Sequence, residues 1–144
     1  MDHPVRKHSR AVQKLLTRLR KICLALPEAS ERLSHGEPTF FVGAKEGKGG
    51  KVFVSFVDNH HGDGIVGITF PAEPGAQAML IEADPRRFYR PPYVGPSGWV
   101  GLRLDVELDW EEVSEIAEES FRLVAPKRAI ATLDGVTPSR FVAS

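Results

Sequence analysis

Four short apolar runs lie between Glu31 and Phe70, joined by links too short for a parallel crossover. They read as strands over Glu31–His35, Thr39–Val42, Lys51–Val57 and Ile65–Phe70. Gly36, Glu37 and Pro38 turn the chain between the first two. GAKEGKGGK is a glycine-rich hairpin loop, and DNHHGDG is the next loop. A parallel crossover takes a dozen or more residues, usually a helix, so these runs form an antiparallel meander. In Lys51–Val57, strict alternation puts Val52, Val54 and Phe56 on one face and Phe53, Ser55 and Val57 on the other.

Amphipathic helices flank the meander. From about Arg10 to Leu26, Val12, Leu15, Leu16, Leu19, Ile22, Cys23 and Leu26 fall on one helical face, with Lys7, Arg10, Lys14, Arg18 and Lys21 opposite. Pro27 ends that helix. Pro71 and Pro74 introduce a second helix running to about Ala83, with Pro74 in its first turn. Trp99–Leu104 reads as a fifth strand. Asp109 and Glu112 have the spacing of a capping box for a last helix whose apolar face is Trp110, Val113, Ile116, Ala117, Phe121 and Val124. Pro126 closes it.

The expected fold is α+β and two-layered. It is an antiparallel five-stranded sheet with N- and C-terminal helices and one helix inserted before the last strand. A chain of 144 residues suits one domain, taken as residues 1–131, with a polar, frayed tail over 132–144.

Charge bounds the partners. Lysine plus arginine and aspartate plus glutamate each number 19, which argues against a polycation that coats nucleic acid. The distribution is uneven. Residues 1–21 carry Arg6, Lys7, Arg10, Lys14, Arg18, Arg20 and Lys21 against Asp2 alone, while residues 105–119 carry eight acids and no base. Cys23 is the single cysteine, so no internal disulfide can form and a reducing, cytoplasmic setting is expected. It is expected to be a small buried side chain. The N-terminus has no apolar signal segment, and no run of about 18 apolar residues suggests a membrane partner.

Few motifs carry chemistry. GAKEGKGGK fails as a phosphate loop, because Lys45 stands where the first glycine belongs and Val52 follows Lys51. His60 and His61 with Asp58 and Asp63 lack the convergence of a metal site. His35, beside Gly36, reads as a turn residue. No catalytic constellation is recognisable, so a non-enzymatic protein without cofactor or metal is expected.

The stretch FYRPPYVGPSGWVG, Phe88 to Gly101, is the most unusual. Pro91 and Pro92 fix φ, and Gly95 and Gly98 suit turns with positive φ. Phe88, Val94 and Trp99 can pin the segment to a core. Arg86, Arg87 and Arg90 beside Tyr89 and Tyr93 also have the composition of a base-stacking, phosphate-binding loop.

ALPEASE, HGEPTFFVG, GGKVFVSF, ADPRRFYRPPYVGPSGWVGLRLD and DWEEVSEIAEESFRLVAPKR together resemble the MmcQ/YjbR family of small bacterial proteins, from about Leu24 to Arg128. The PPYVG and GWVG segments are the most specific. The resemblance implies a CyaY-like α+β fold related to double-wing DNA-binding domains, and a DNA-binding label that rests on fold alone. It brings no agreed catalytic residues. The positions that match are His35, Gly36, Pro38, Thr39 and Phe40; Lys51; Pro91, Pro92, Tyr93, Val94, Gly95, Gly98 and Trp99; and Pro126 and Lys127. The KEGKG insertion lengthens the first hairpin.

The leading expectation is a nucleic-acid-binding domain, with DNA as partner. Lys7, Arg10, Lys14, Arg18, Lys51, Arg87, Arg90 and Lys127 are its candidate cations, and Tyr89 and Tyr93 its loop contacts. The alternatives are an adaptor domain with a protein partner, or a small-molecule or metal site on a frataxin-like sheet. The expected state is a monomer or weak dimer.

Overall fold

A computed structural model describes residues 8–60 and 62–135. Helix α1 spans Arg10–Leu24. Strands β1 (Ala29–Ser34), β2 (Glu37–Val42), β3 (Lys51–Asp58) and β4 (Val66–Phe70) follow, then helix α2 (Ala76–Ala83). After β5 (Phe88–Tyr89), one turn of 3-10 helix and β6 (Val100–Arg103) come α3 (Trp110–Val124) and α4 (Lys127–Leu133). The sheet is antiparallel, with strand order β1-β2-β3-β4-β6-β5. Among the described residues no helix is long and apolar enough to cross a membrane.

The meander forms because its links leave no other choice. Ser34 to Glu37 is a two-residue hairpin whose central residues, His35 and Gly36, both have positive φ. Such turns match the twist of the paired strands. The turn is therefore His35–Gly36, while Glu37 and Pro38 already belong to β2, where they pair with Ser34 and Leu33.

Register gives the sheet two unlike faces. Phe56, Ile68, Leu102 and Phe88 are successive cross-strand neighbours, all buried under the helices. One residue along, Thr39, Ser55, Thr69, Gly101 and Tyr89 form a second line across β2, β3, β4, β6 and β5. With a side-chain period of two, that line faces away from the helices.

The core lies between the first face and the helical layer. Leu16, Leu19 and Cys23 of α1 and Val113, Ala117 and Phe121 of α3 are its helical side. Phe53 meets Phe121 edge to face, with ring centroids 5.6 Å apart. Strict alternation would place Phe53 on the opposite face. A β-bulge explains the difference: Phe40 pairs with Val54 and Phe41 with Val52, so Phe53 is the extra residue and turns into the core with Val54.

Further corrections concern short elements. The sheet has six strands, not five, because Phe88–Tyr89 adds an edge strand beside β6. Helix α2 starts after the Pro74–Gly75 turn, since Gly75 is left-handed at φ 87. Asp109 caps α3 by accepting from the Glu111 N–H at 3.0 Å, but Glu112 does not close a capping box; it pairs with Arg87. Pro126 both ends α3 and caps α4, so helix continues to Leu133, past the expected boundary at residue 131. Leu133 packs against the core. The rest of the expected tail, 136–144, lies outside the described residues, as does Lys7.

Candidate functional site

The outward line of the sheet is the floor of a cavity of about 520 Å³. Thr39, Ser55 and Thr69 contribute it, one hydroxyl from each of three adjacent strands. Thr39 Oγ1 donates to Glu37 O at 3.0 Å, while the Ser55 and Thr69 hydroxyls make no hydrogen bond to protein among the described residues. Gly101 ends the hydroxyl line and leaves room for a ring. The Tyr89 ring fills that room and walls the cavity. Burial holds the Tyr89 phenol well above its ordinary value.

The second wall is the PPYV segment. Pro91, Pro92, Tyr93 and Val94 all line the cavity. The segment is fixed in place by backbone bonds: Gly95 N–H donates to Pro91 O at 3.0 Å, Ser97 N–H to Val94 O at 3.1 Å and Gly98 N–H to Gly95 O at 2.9 Å. Helix α2 clamps it from outside, as Gln77 Nε2 donates to Gly95 O at 2.9 Å and to Trp99 O at 2.6 Å. Gly98 supplies the left-handed turn at φ 86. Gly95 does not; the Arg90 side chain lies against it, where a Cβ would fall 2.7 Å from Arg90 Cγ. Tyr93 stands at the rim, 85% exposed and left-handed at φ 66.

The far end is polar. Glu37, only 3% exposed, accepts the Asp58 N–H at 2.8 Å. Around it, His60 Nδ1 lies 3.8 Å from Glu37 Oε2, and His8 bridges to Asp58 at 2.7 Å. His35, His60 and Asp63 complete this end. Among the described residues no group of three or more histidine, cysteine, aspartate or glutamate side chains is placed to hold a metal ion.

The residues expected to bind nucleic acid do not share one surface. Tyr89 and Tyr93 are at the cavity. Arg10 and Lys14 are exposed on α1, in the helical layer behind the sheet. Arg18 lies over the Trp110 ring at 5.0 Å, which sets the basic helix beside acidic α3. Arg87 turns away from the tyrosines. It pairs with Asp84 at 2.6 Å and with Glu112 of α3, and covers the Phe88 ring. Lys51 and Lys127 are exposed at the starts of β3 and α4, and Arg90 is exposed along the loop.

A family model described as YjbR matches residues 24–123. No curated protein matches the chain. Among solved structures, the crystal structure of the Deinococcus radiodurans protein DR2400, which carries the domain described as DUF419, is similar. The two share 20% identity, the match covers 85% of this chain and 88% of that one, and the TM-score is 0.65. At that identity the likeness is one of fold.

Proposed function

The chain belongs to the YjbR family, and from that premise we propose that it is a ligand-binding domain whose site is the cavity on the outward face of its sheet. The observation that carries this reading is the pairing of a hydroxyl floor with a clamped aromatic and proline wall. Small-molecule sites are concave, largely pre-formed and mostly apolar, with a few polar groups that fix orientation, and have volumes of about 300–1,000 Å³. Thr39, Ser55 and Thr69 are those polar groups, and Pro91, Tyr89 and Tyr93 are the apolar wall. Pre-organisation by Gln77 lowers the ordering cost of binding. The proposal is for binding without turnover.

The test is a fragment screen by ligand-observed NMR against the native chain and Ser55→Phe, which plugs the floor. Hits that bind the native chain, disappear with the plugged variant and stay chemically unchanged after long incubation support the reading. Hits that bind both proteins equally count against it.

Nucleic-acid contact is a second reading, favoured by one observation. Arg10, Lys14 and Lys21 point outward from α1 and make no ion pair among the described residues. Phosphate contacts of that kind weaken steeply with salt. Arg20 adds nothing to them, being bound bidentate to Glu31. Fluorescence anisotropy with duplex and single-stranded DNA at low salt tests it, and affinity unchanged in Arg10→Ala/Lys14→Ala removes it.

A further inference from the structure

We propose that residues 136–144, VTPSRFVAS, dock into the apolar groove between α2 and α3 with Phe141 as the anchor. Helix α2 is AQAMLIEA, apolar everywhere but Gln77 and Glu82, yet none of its residues is buried. Leu80 and Ile81 rest only partly on the core, and Met79 is 72% exposed. A helix apolar on all sides is normally covered on all sides. Beside it, Phe70, Ala72, Ala76, Leu80, Ile116 and Leu123 bound a groove of about 400 Å³. Glu73, Glu119 and Arg122 also line it, and the Ser120 hydroxyl donates to Pro71 O at 2.9 Å.

The path of the chain names the occupant. Helix α4 ends at Leu133, and the Arg122 guanidinium donates to Asp134 Oδ1 at 2.6 Å. That bond ties the end of α4 to a residue of the groove itself. Gly135 then turns the chain at φ 76, its N–H donating to Thr132 O at 3.1 Å. The residues that follow, which lie outside the described ones, therefore start beside the groove. Phe141 stands six residues past Gly135, an extended reach of about 20 Å, ample for a groove that begins at Arg122. Pro138 favours extended backbone before it and disfavours helix, as a strip laid along a groove requires. Phe141 and Val142 bring an aromatic ring and an aliphatic side chain to a surface that has no other cover among the described residues. The tether raises the local concentration of the segment to about millimolar, which a second copy reaches only in concentrated solution.

The experiment compares the isotope-labelled full chain with the chain ending at Gly135, with Phe141→Ala and with Ala76→Glu. Ala76 opens α2, where an added carboxylate suits the helix N-terminus, so this variant charges the groove without opposing the helix. The expected result is nuclear Overhauser contacts from the Phe141 ring to the Leu80, Ile116 and Leu123 methyls of the full chain. Truncation and Phe141→Ala should move those methyl resonances alike and leave Ser55 and Thr69 still. Thermolysin should cleave before Phe141 about three- to tenfold more slowly in the full chain than in Ala76→Glu, since cleavage follows the undocked population. If the contacts are absent and truncation leaves the groove methyls unmoved, the proposal is overturned. An effect of truncation that Phe141→Ala does not reproduce overturns the anchor. Groove resonances that move with protein concentration assign the surface to a second copy and overturn the proposal as well. None of these outcomes depends on what the cavity on the other face binds.

Discussion

The Tyr89 ring lies against the bare Cα of Gly101, its partner in the β5–β6 ladder. A Cβ at position 101 would fall 2.3 Å from Tyr89 Cζ. Gly67 is also close-packed, but there a Cβ would sit 2.4 Å from the backbone oxygen of Leu102. A ring on a flexible side chain can swing away, whereas a strand carbonyl in a ladder cannot. Gly101→Ala is therefore expected to cost about 1–2 kcal/mol and to free Tyr89, while Gly67→Ala costs about 3 kcal/mol. Denaturant unfolding measures both. In Gly101→Ala, an absorbance titration should show the late tyrosine step move down toward the ordinary value of about 10.

Arg87 and Arg90 are three residues apart and have different duties. Arg87→Ala removes a guanidinium shared by Asp84 and Glu112 and a stem packed near Phe88, and should destabilise by about 1 kcal/mol. Arg90→Ala should leave stability within about 0.5 kcal/mol. Chemical denaturation of the two variants checks the order, and equal effects would contradict it.

Gln77→Ala deletes both side-chain hydrogen bonds that hold the Gly95 and Trp99 carbonyls to α2. At about 1 kcal/mol net per bond, the loss is about 2 kcal/mol, concentrated in local opening of the cavity wall. Amide exchange should accelerate at Gly95, Ser97 and Gly98 while the α3 amides stay protected.

Cys23 sits in the core, and burial pushes its thiol far above the ordinary range. The folded protein should not react with a thiol reagent. Labelling should track global unfolding, with full reaction in denaturant.

Three aspartates are held below the ordinary carboxylate range by hydrogen bonds from arginine: Asp84 by Arg87, Asp105 by Arg103 and Asp134 by Arg122. A depressed folded pKa means the unfolded chain binds more protons near pH 4. The contribution is complete above the unfolded value of about 3.9 and is lost as pH falls through the folded values. Denaturation midpoints should drop as the solution is acidified below about pH 5, and Arg103→Ala should flatten part of that slope. A slope unchanged in that variant would contradict the assignment.

The long periodic segments were legible because they repeat. Leu16, Leu19 and Cys23 of α1 and Val113, Ala117 and Phe121 of α3 announce their buried faces at helical spacing. Phe88–Tyr89 was not, because two residues have no period and their strand identity comes from β6. Helix α4 was hidden behind Pro126, which stops one helix and starts the next. At the site, Arg87 read as a neighbour of Tyr89, but its true partner Glu112 is 25 residues distant. The hydroxyl floor left only a faint signal: one polar residue inside each apolar strand, at Thr39, Ser55 and Thr69. Their alignment is a matter of register, which hydrophobic pattern sets only where one face is buried and the bulge at Phe53 is known.

The most direct measurement is a pair of titrations of the isotope-labelled chain, one with a pooled fragment library and one with duplex DNA at low salt. The account predicts that fragments shift Ser55, Thr69, Tyr89 and the Pro91–Gly98 loop, and that α1 amides stay still. Shifts confined to Arg10–Lys21 on adding DNA, with the cavity silent to every fragment, would contradict it.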